Sequence, residues 1–277
     1  MLQKTSRMIS LVMASAMMIT LISAAPCMAA SKKPKLVSTV ETQQYNKETK
    51  TWKTTGRTKY TYNEKGDPIQ IDWKSFTGWG NSTRTMDYHY WKNGKRSYAT
   101  FTKTGREWDS LSGYYSNYTE KGKTTYDKRG HRTREKYKHT TKNDEGKNTG
   151  SYSETDKYKH KRCLFYLYGY DLEDHAKTKI SIRKKGILKK IRLKYDPDSK
   201  WKTRFTFLKK GLIRKGSVKY RYTYYKNTGL VKTIRYYSSY NGVKTRRVIK
   251  YTDKSTGRIR YNAMINSLVE PEYFFWH

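Results

Sequence analysis

One short unit recurs along this chain and limits what it can fold into. An alternating, aromatic-rich run leads to a polar turn closed by glycine, and a second alternating run follows. The clearest copy starts at Tyr60, Tyr62 and Asn63, turns at Gly66, and continues through Ile69, Ile71 and Trp73. Others are Tyr88, Tyr90, Asn93 and Gly94 leading to Tyr98 and Phe101, and Tyr126, Asp127 and Gly130 leading to Tyr137. Further on come Ile180, Ile182 and Gly186 with Ile191, Leu193 and Tyr195, then Phe205, Phe207 and Gly211. Two more follow: Tyr222, Tyr224, Asn227 and Gly229 with Ile234 and Tyr236, and Ile249, Tyr251, Asp253 and Gly257 with Ile259 and Tyr261. Period-two alternation is the mark of a strand, and glycine at the turn accepts the positive φ of a hairpin loop. The expected fold is all-β, an elongated array of antiparallel β-hairpins in a single-layer or open sheet, with almost no helix after a helical signal segment.

Alternation also assigns faces. In residues 219–224, Tyr220, Tyr222 and Tyr224 fall on one side and Lys219, Arg221 and Thr223 on the other. In residues 187–195, Ile187, Ile191, Leu193 and Tyr195 share a side opposite Leu188, Lys190, Arg192 and Lys194. The expected binding surface is therefore cationic, made of Lys189, Lys190, Arg192, Lys194, Lys219, Arg221, Lys244, Arg246 and Arg247, with Tyr220, Tyr222 and Tyr224 as stacking rings. The plainer alternative is that the cations form the solvated side of a one-sided sheet.

The rhythm resembles the YD repeats of the RHS family, whose units read Tyr-x-Tyr-[Asp/Asn]-x-x-Gly before a strand. Tyr60, Tyr62, Asn63 and Gly66 match best, with Tyr126, Asp127 and Gly130, and Tyr251, Asp253 and Gly257. Irregular spacing and lysine at several acidic turn positions depart from that pattern. The resemblance implies an extended β array in a secreted or surface protein. A fainter likeness, through Thr77-Gly78-Trp79, Trp91 to Gly94, and Gly105 to Trp108, is to aromatic wall-binding repeats.

The ends and totals bear on partners. Lys4 and Arg7, an uncharged apolar run from Met8 to Ala25, and Pro26 before Ala29-Ala30-Ser31 read as a secretory signal over residues 1–30. Cleavage after Ala29 or Ala30 leaves a β-repeat region over 31–277 with no further membrane span; the rival reading keeps the segment as an anchor. The chain has 60 Lys and Arg against 23 Asp and Glu, a net charge of +37, so its surface attracts polyanions. Cys163 is the only cysteine beyond the signal, which excludes an internal disulfide in the mature chain and a cysteine-paired metal site. Aliphatic residues are sparse, but 27 Tyr and 7 Trp supply rings that favour strands and bury large areas. Between 112 and 162 tyrosine provides the large apolar groups, so this polar middle is either a solvated stretch of sheet or a segment that orders on a polyanion.

Catalytic patterns are thin. Asp171, Glu173, Asp174 and His175 concentrate acid beside a histidine, read as an acidic turn with cation binding as the alternative. Cys163 opens an apolar run and reads as a buried hydrophobe. The tail Tyr273-Phe274-Phe275-Trp276-His277 reads as a cap on an open sheet end. Nothing calls for a cofactor. These features point to an exported, non-catalytic β-repeat protein, secreted or held at the bacterial cell surface. Its expected partner is an anionic cell-wall polymer or acidic polysaccharide, with nucleic acid as a further polyanion. A secreted hydrolase of a polyanion and a partner-binding module using the aromatic tail are the rival readings.

Overall fold

Local turn chemistry explains most of the architecture. The Asn63 N–H donates to the Asp67 carbonyl and the Gly66 N–H donates back to the Asn63 carbonyl, closing a three-residue loop. The same pair of bonds recurs at 91–95, 127–131, 143–147 and 208–212. Gly66 and Gly130 take φ of 78° and 82°, open to glycine without steric cost. Where the loop begins with Asn or Asp, its side-chain oxygen accepts the N–H four residues on, at 2.9 Å in each of Asn63, Asp127 and Asn143. The polar letter of the repeat is thus a turn lock.

The computed structural model describes residues 33–78, 80–109, 114–161, 164–167, 177–183, 188–194, 198–237, 242–269 and 273–274. The signal segment, Cys163, the acidic cluster at 171–175, Gly186, Tyr195 and residues 275–277 lie outside them. The hairpins form β1 (Lys35–Asn46), β2 (Thr51–Tyr62), β3 (Pro68–Ser75), β4 (Gly80–Tyr90), β5 (Arg96–Asp109), β6 (Tyr114–Tyr126), β7 (Arg132–Lys142), β8 (Asn148–Lys161) and β9 (Leu164–Leu167). Then come β10 (Lys177–Ile182), β11 (Leu188–Lys194), β12 (Lys202–Phe207), β13 (Ile213–Lys215), β14 (Arg221–Tyr224), β15 (Val231–Tyr237) and β16 (Lys244–Ser255). The helix α1 (Arg258–Ser267) and β17 (Tyr273–Phe274) complete the described chain.

A 13-stranded open sheet runs β14-β15-β16-β1-β2-β3-β4-β5-β6-β7-β8-β9-β17, and a four-stranded sheet runs β10-β11-β12-β13. Pairing is antiparallel, and β1 joins β16 with Val40 opposite Ile249 and Gln43 opposite Arg246. The polar middle is built as the long strands β6, β7 and β8. The tail adds β17 beside β9, at the end of the sheet, with Tyr273 opposite Tyr166.

The core lies between the small sheet, the β14-β15-β16-β1 end of the large one, and the helix. Val40, Ile191, Leu193, Phe205, Ile213, Ile234, Ile249, Tyr261 and Ile265 are buried there. The helix corrects the expected last hairpin. Gly257 is extended at φ −71° and begins α1, so Ile259 and Tyr261 are helical. Helical spacing buries Tyr261, Ile265 and Leu268 together. The Tyr261 hydroxyl accepts the Val231 N–H at 2.8 Å, and the buried Asn266 amide accepts from Ile213 N–H and donates to the Gly211 carbonyl. One helix thereby ties both sheets together.

From β2 to β8 the tyrosine-bearing face continues, and among the described residues no second sheet lies over it. Small residues let large ones lie flat: Gly122 sits opposite both Phe101 and Tyr137. Several charges on this face are paired. Glu135 on β7 accepts from Arg132, from Thr124 and, at 2.9 Å, from Arg84 of β4. The Arg84 guanidinium also rests 3.8 Å from the Phe101 ring centroid. Burial alone would raise the Glu135 carboxyl, but Arg132 and Arg84 outweigh it and hold the group below its ordinary value.

Two outcomes follow from this packing. A Cβ on Gly122 would stand 2.4 Å from the Lys136 carbonyl oxygen, so Gly122→Ala should cost about 1–3 kcal/mol in urea unfolding. Gly150→Ala, whose Cβ meets the movable Thr141 hydroxyl at 3.0 Å, should cost less. A depressed carboxyl gives stability that is complete above its unfolded pKa, about 4.3, and lost as pH falls through its lower folded value. Glu135→Gln should therefore lower stability by about 3 kcal/mol at pH 7 and flatten the loss below about pH 4, as read from melts across pH.

Candidate polyanion-binding face

Directly opposed residues of neighbouring strands share a face, so register places the cations. On the small sheet Lys190 lies opposite Thr206, and Thr206 opposite Lys215. A single bridge pairs Lys215 with Lys219, carrying the row from the small sheet to the edge of the large one. Two residues on, Arg221 lies opposite Arg235, and Arg235 opposite Arg246. Lysines and arginines from both sheets therefore make one continuous outward surface.

A pocket of about 660 Å³ lies at the junction. It is lined by Arg183, Lys189, Lys190, Thr206, Phe207, Arg214, Lys215, Lys219, Tyr220 and Arg221. Seven of these are cationic and none is acidic. Arg183 holds the frame, donating to the carbonyls of Leu188, Leu208 and Phe207. Lys189, Arg214, Lys215, Lys219 and Arg221 are exposed.

A second pocket, about 800 Å³, begins on the far side of Lys219 and Arg221 and wraps the start of β14. Its lining adds Tyr45, Trp52, Tyr222, Arg235, Tyr237 and Lys244. The Trp52 ring lies 4.4 Å from the Arg246 guanidinium carbon and 5.3 Å from the Tyr45 ring. Lys244 Nζ is 5.3 Å from the Tyr45 centroid, while Arg246 Nε donates to Gln43 at 2.8 Å. Burial, and then the neighbouring Arg235, push the Arg246 guanidinium below its ordinary pKa.

The expected site residues divide accordingly. Lys189, Lys190, Lys219 and Arg221 meet in the first pocket, and Lys219, Arg221, Lys244 and Tyr222 in the second. Arg246 adjoins the second through Trp52. Arg192 and Lys194 share the outward side of β11 but line neither pocket. Arg247 faces the other way, level with Thr42 and Ile234 on the core side, because consecutive strand residues alternate.

The tyrosine triplet is corrected by burial. Tyr220 is only 6% exposed and its hydroxyl donates to the Val269 carbonyl; Tyr222 donates to Ile213 O at 2.6 Å. Tyr220 is thus packed into the core, while Tyr222 is half-buried, with its hydroxyl tied to Ile213 and part of its ring at the wall of the second pocket. Tyr224, at the end of β14, is exposed, with Lys210 Nζ 5.2 Å from its ring centroid. Leu188 also moves from the cationic side to the core, since a bulge between Ser181 and Ile182 changes the register there.

Sequence reasoning missed Tyr45, Trp52, Arg214, Lys215, Arg235 and Tyr237. Alternation in β15 puts Arg235 and Tyr237 on one side, a local signal that was present. Their meeting with Trp52 was not local, as it depends on β1 lying between β2 and β16. Among the described residues no group of three His, Cys, Asp or Glu side chains converges on a metal-sized site.

No family model matches the chain, and no curated protein matches it. Among solved structures, a porin-like protein from Bacteroides uniformis is similar over 78% of this chain and 99% of its own, at 12% identity. Its TM-score of 0.27 is too low to carry an argument here.

Like charges directly opposed in a sheet destabilise it. Arg235→Gln should therefore stabilise the free protein by about 0.5 kcal/mol at low salt, with the gain shrinking as salt screens the row. Urea unfolding at two ionic strengths checks this; a loss of stability at both would show the row to be structural.

Proposed function

We propose that this chain is an exported, non-catalytic β protein that associates with an anionic cell-envelope or extracellular polymer through the joined cationic face of its two sheets. The observation that carries the reading is that, among the described residues, the pocket between them is lined by seven cations and no carboxylate. On the tyrosine-bearing face of β4 to β7, by contrast, cations are paired internally, as Arg84 and Arg132 are with Glu135 and Lys103 is with Glu120. At the junction the countercharge has to come from outside, and sulfate, phosphate or carboxylate groups supply it.

Export rests on the charge, apolar run and small-residue exit of the first thirty residues. Among the described residues no helix is long and apolar enough to cross a membrane. The strands argue against a lipid-facing wall on their own account. One face of β4 to β7 carries Arg84, Lys103, Glu120 and Glu135, and the other carries Lys121, Lys123, Lys136 and Lys138. A spanning barrel needs an outward apolar band, and neither face provides one.

Sedimentation with purified cell wall, before and after its anionic polymer is stripped, tests the reading. Counterion release makes affinity fall steeply with salt, by about three orders of magnitude between 50 and 200 mM for six or more contacts. Replacing Lys190, Lys215 and Lys219 by Gln should weaken binding and lower the log–log salt slope by about 2–3. Binding to stripped wall that persists in high salt would remove the electrostatic reading.

A further inference from the structure

The second pocket holds features that attraction to any polyanion would not require. Arg221, Arg235 and Arg246 stand directly opposite one another on three adjacent strands. At about 4.8 Å between strands the row spans about 10 Å. Among the described residues none of the three has an acidic partner, and the next position in the row is Gln43. The outward face does use carboxylates nearby: Glu41, two residues from Gln43, pairs with Arg57 at 3.1 Å. Among the described residues the arginine row is left without a carboxylate, and Arg235 and Arg246 lie 5.9 and 4.4 Å from the Trp52 ring.

Beside it runs a row of rings. Tyr237 lies opposite Lys244, and Tyr45 opposite Trp52, each displaced by two strand residues, about 7 Å, from the arginines. Trp52 is held in place by Arg246 and Tyr45, whereas Tyr237 is 53% exposed. Rings on a wetted sheet face, set one residue pair from a cationic row, present apolar platforms beside anion-binding groups. The volume of about 800 Å³ falls within the range of small-ligand sites, about 300–1,000 Å³.

We propose that this pocket is a saccharide subsite for an acidic glycan, with successive sugar rings against Trp52 and Tyr237 and the sulfate, phosphate or carboxylate groups of the same chain on Arg221 and Arg235 within it and Arg246 at its edge. The proposal rests on the polyanion reading and specifies its ligand. An acidic glycan alternates the two chemistries the rows offer, ring faces and anionic groups. A ring-free polyanion would occupy the arginines and leave the aromatic row unused.

The test titrates the whole chain, at one moderate salt concentration, with a heparin-derived hexasaccharide, inorganic tripolyphosphate and a short oligothymidylate. Affinity is read by calorimetry and indole contact by tryptophan fluorescence. The hexasaccharide should bind at least tenfold tighter than tripolyphosphate and raise the melting temperature. Trp52→Ala should remove that preference while leaving the salt slope unchanged. Tyr237→Ala, at an exposed ring, should reduce it about tenfold even if the Trp52 variant fails to fold. Arg235→Gln should weaken both ligands. Equal affinities, with both ring variants silent, would overturn the subsite and leave the polyanion reading standing. Preference for oligothymidylate would overturn the glycan in favour of nucleic acid. Failure of all three ligands to bind would overturn the polyanion reading itself.

Discussion

Strand β1 lies between β2 and β16, and its pairing with β16 joins residues some two hundred positions apart, such as Gln43 and Arg246. Much of the structure depends on that contact. It places Val40 against Ile249 and so gives the core one of its walls. It brings Trp52 and Tyr45 of the first hairpin under Arg246 and Lys244 of the last. It leaves α1, immediately after β16, positioned to fill the space between the sheets through Tyr261 and Asn266. Backbone hydrogen bonds and buried aliphatic groups hold this seam, which is why a chain so rich in charge has a continuous core at all.

Charge is sorted by face. On β4 to β8 the tyrosine-bearing face holds Glu120, Glu135, Glu154 and Asp156, placed there by register opposite His139, Thr124, Tyr137 and Glu135. Burial and the neighbouring carboxylates Glu154 and Glu135 raise the Asp156 carboxyl, while Glu135 itself is held down by its arginines. Glu120 and Glu135 thus serve internal pairing in the long single-sheet region. The opposite face of the small sheet and of β14 to β16 is left with Lys and Arg in excess. That sorting, more than the total of +37, gathers cations without carboxylate partners onto one surface among the described residues.

Much of the fold was legible because its causes are local. The turns at 63–67 and 127–131 follow from Asn or Asp at the first position and Gly at the fourth. The turn at 143–147 is the same structure, though its sequence lacks the flanking tyrosines. Side assignment by alternation held from Lys219 to Thr223 and from Lys190 to Lys194. It slipped at Leu188, where a register shift adds a residue that no period-two pattern can anticipate. Gly257 misled for a different reason. Ile259 and Tyr261 fit strand spacing over three residues, and only the longer series Tyr261, Ile265 and Leu268 carries the helical period.

What the sequence by itself determined was the hairpin as a unit: strand alternation, the glycine turn and which residues of one strand share a side. Those depend on φ, ψ preferences and hydrogen bonds within a few residues. Only the tertiary structure decided which side was inward, since Tyr220 and Tyr222 could as well have stacked on a ligand until the small sheet and helix covered them. It also decided which cations became neighbours. Lys190, Lys215, Lys219, Arg221, Arg235 and Arg246 lie on five different strands or their flanks, and their adjacency comes from long-range packing that minimises exposed apolar surface. Local pattern carries no information about that, because every hairpin in a repeat looks nearly alike to every other until the core selects their order.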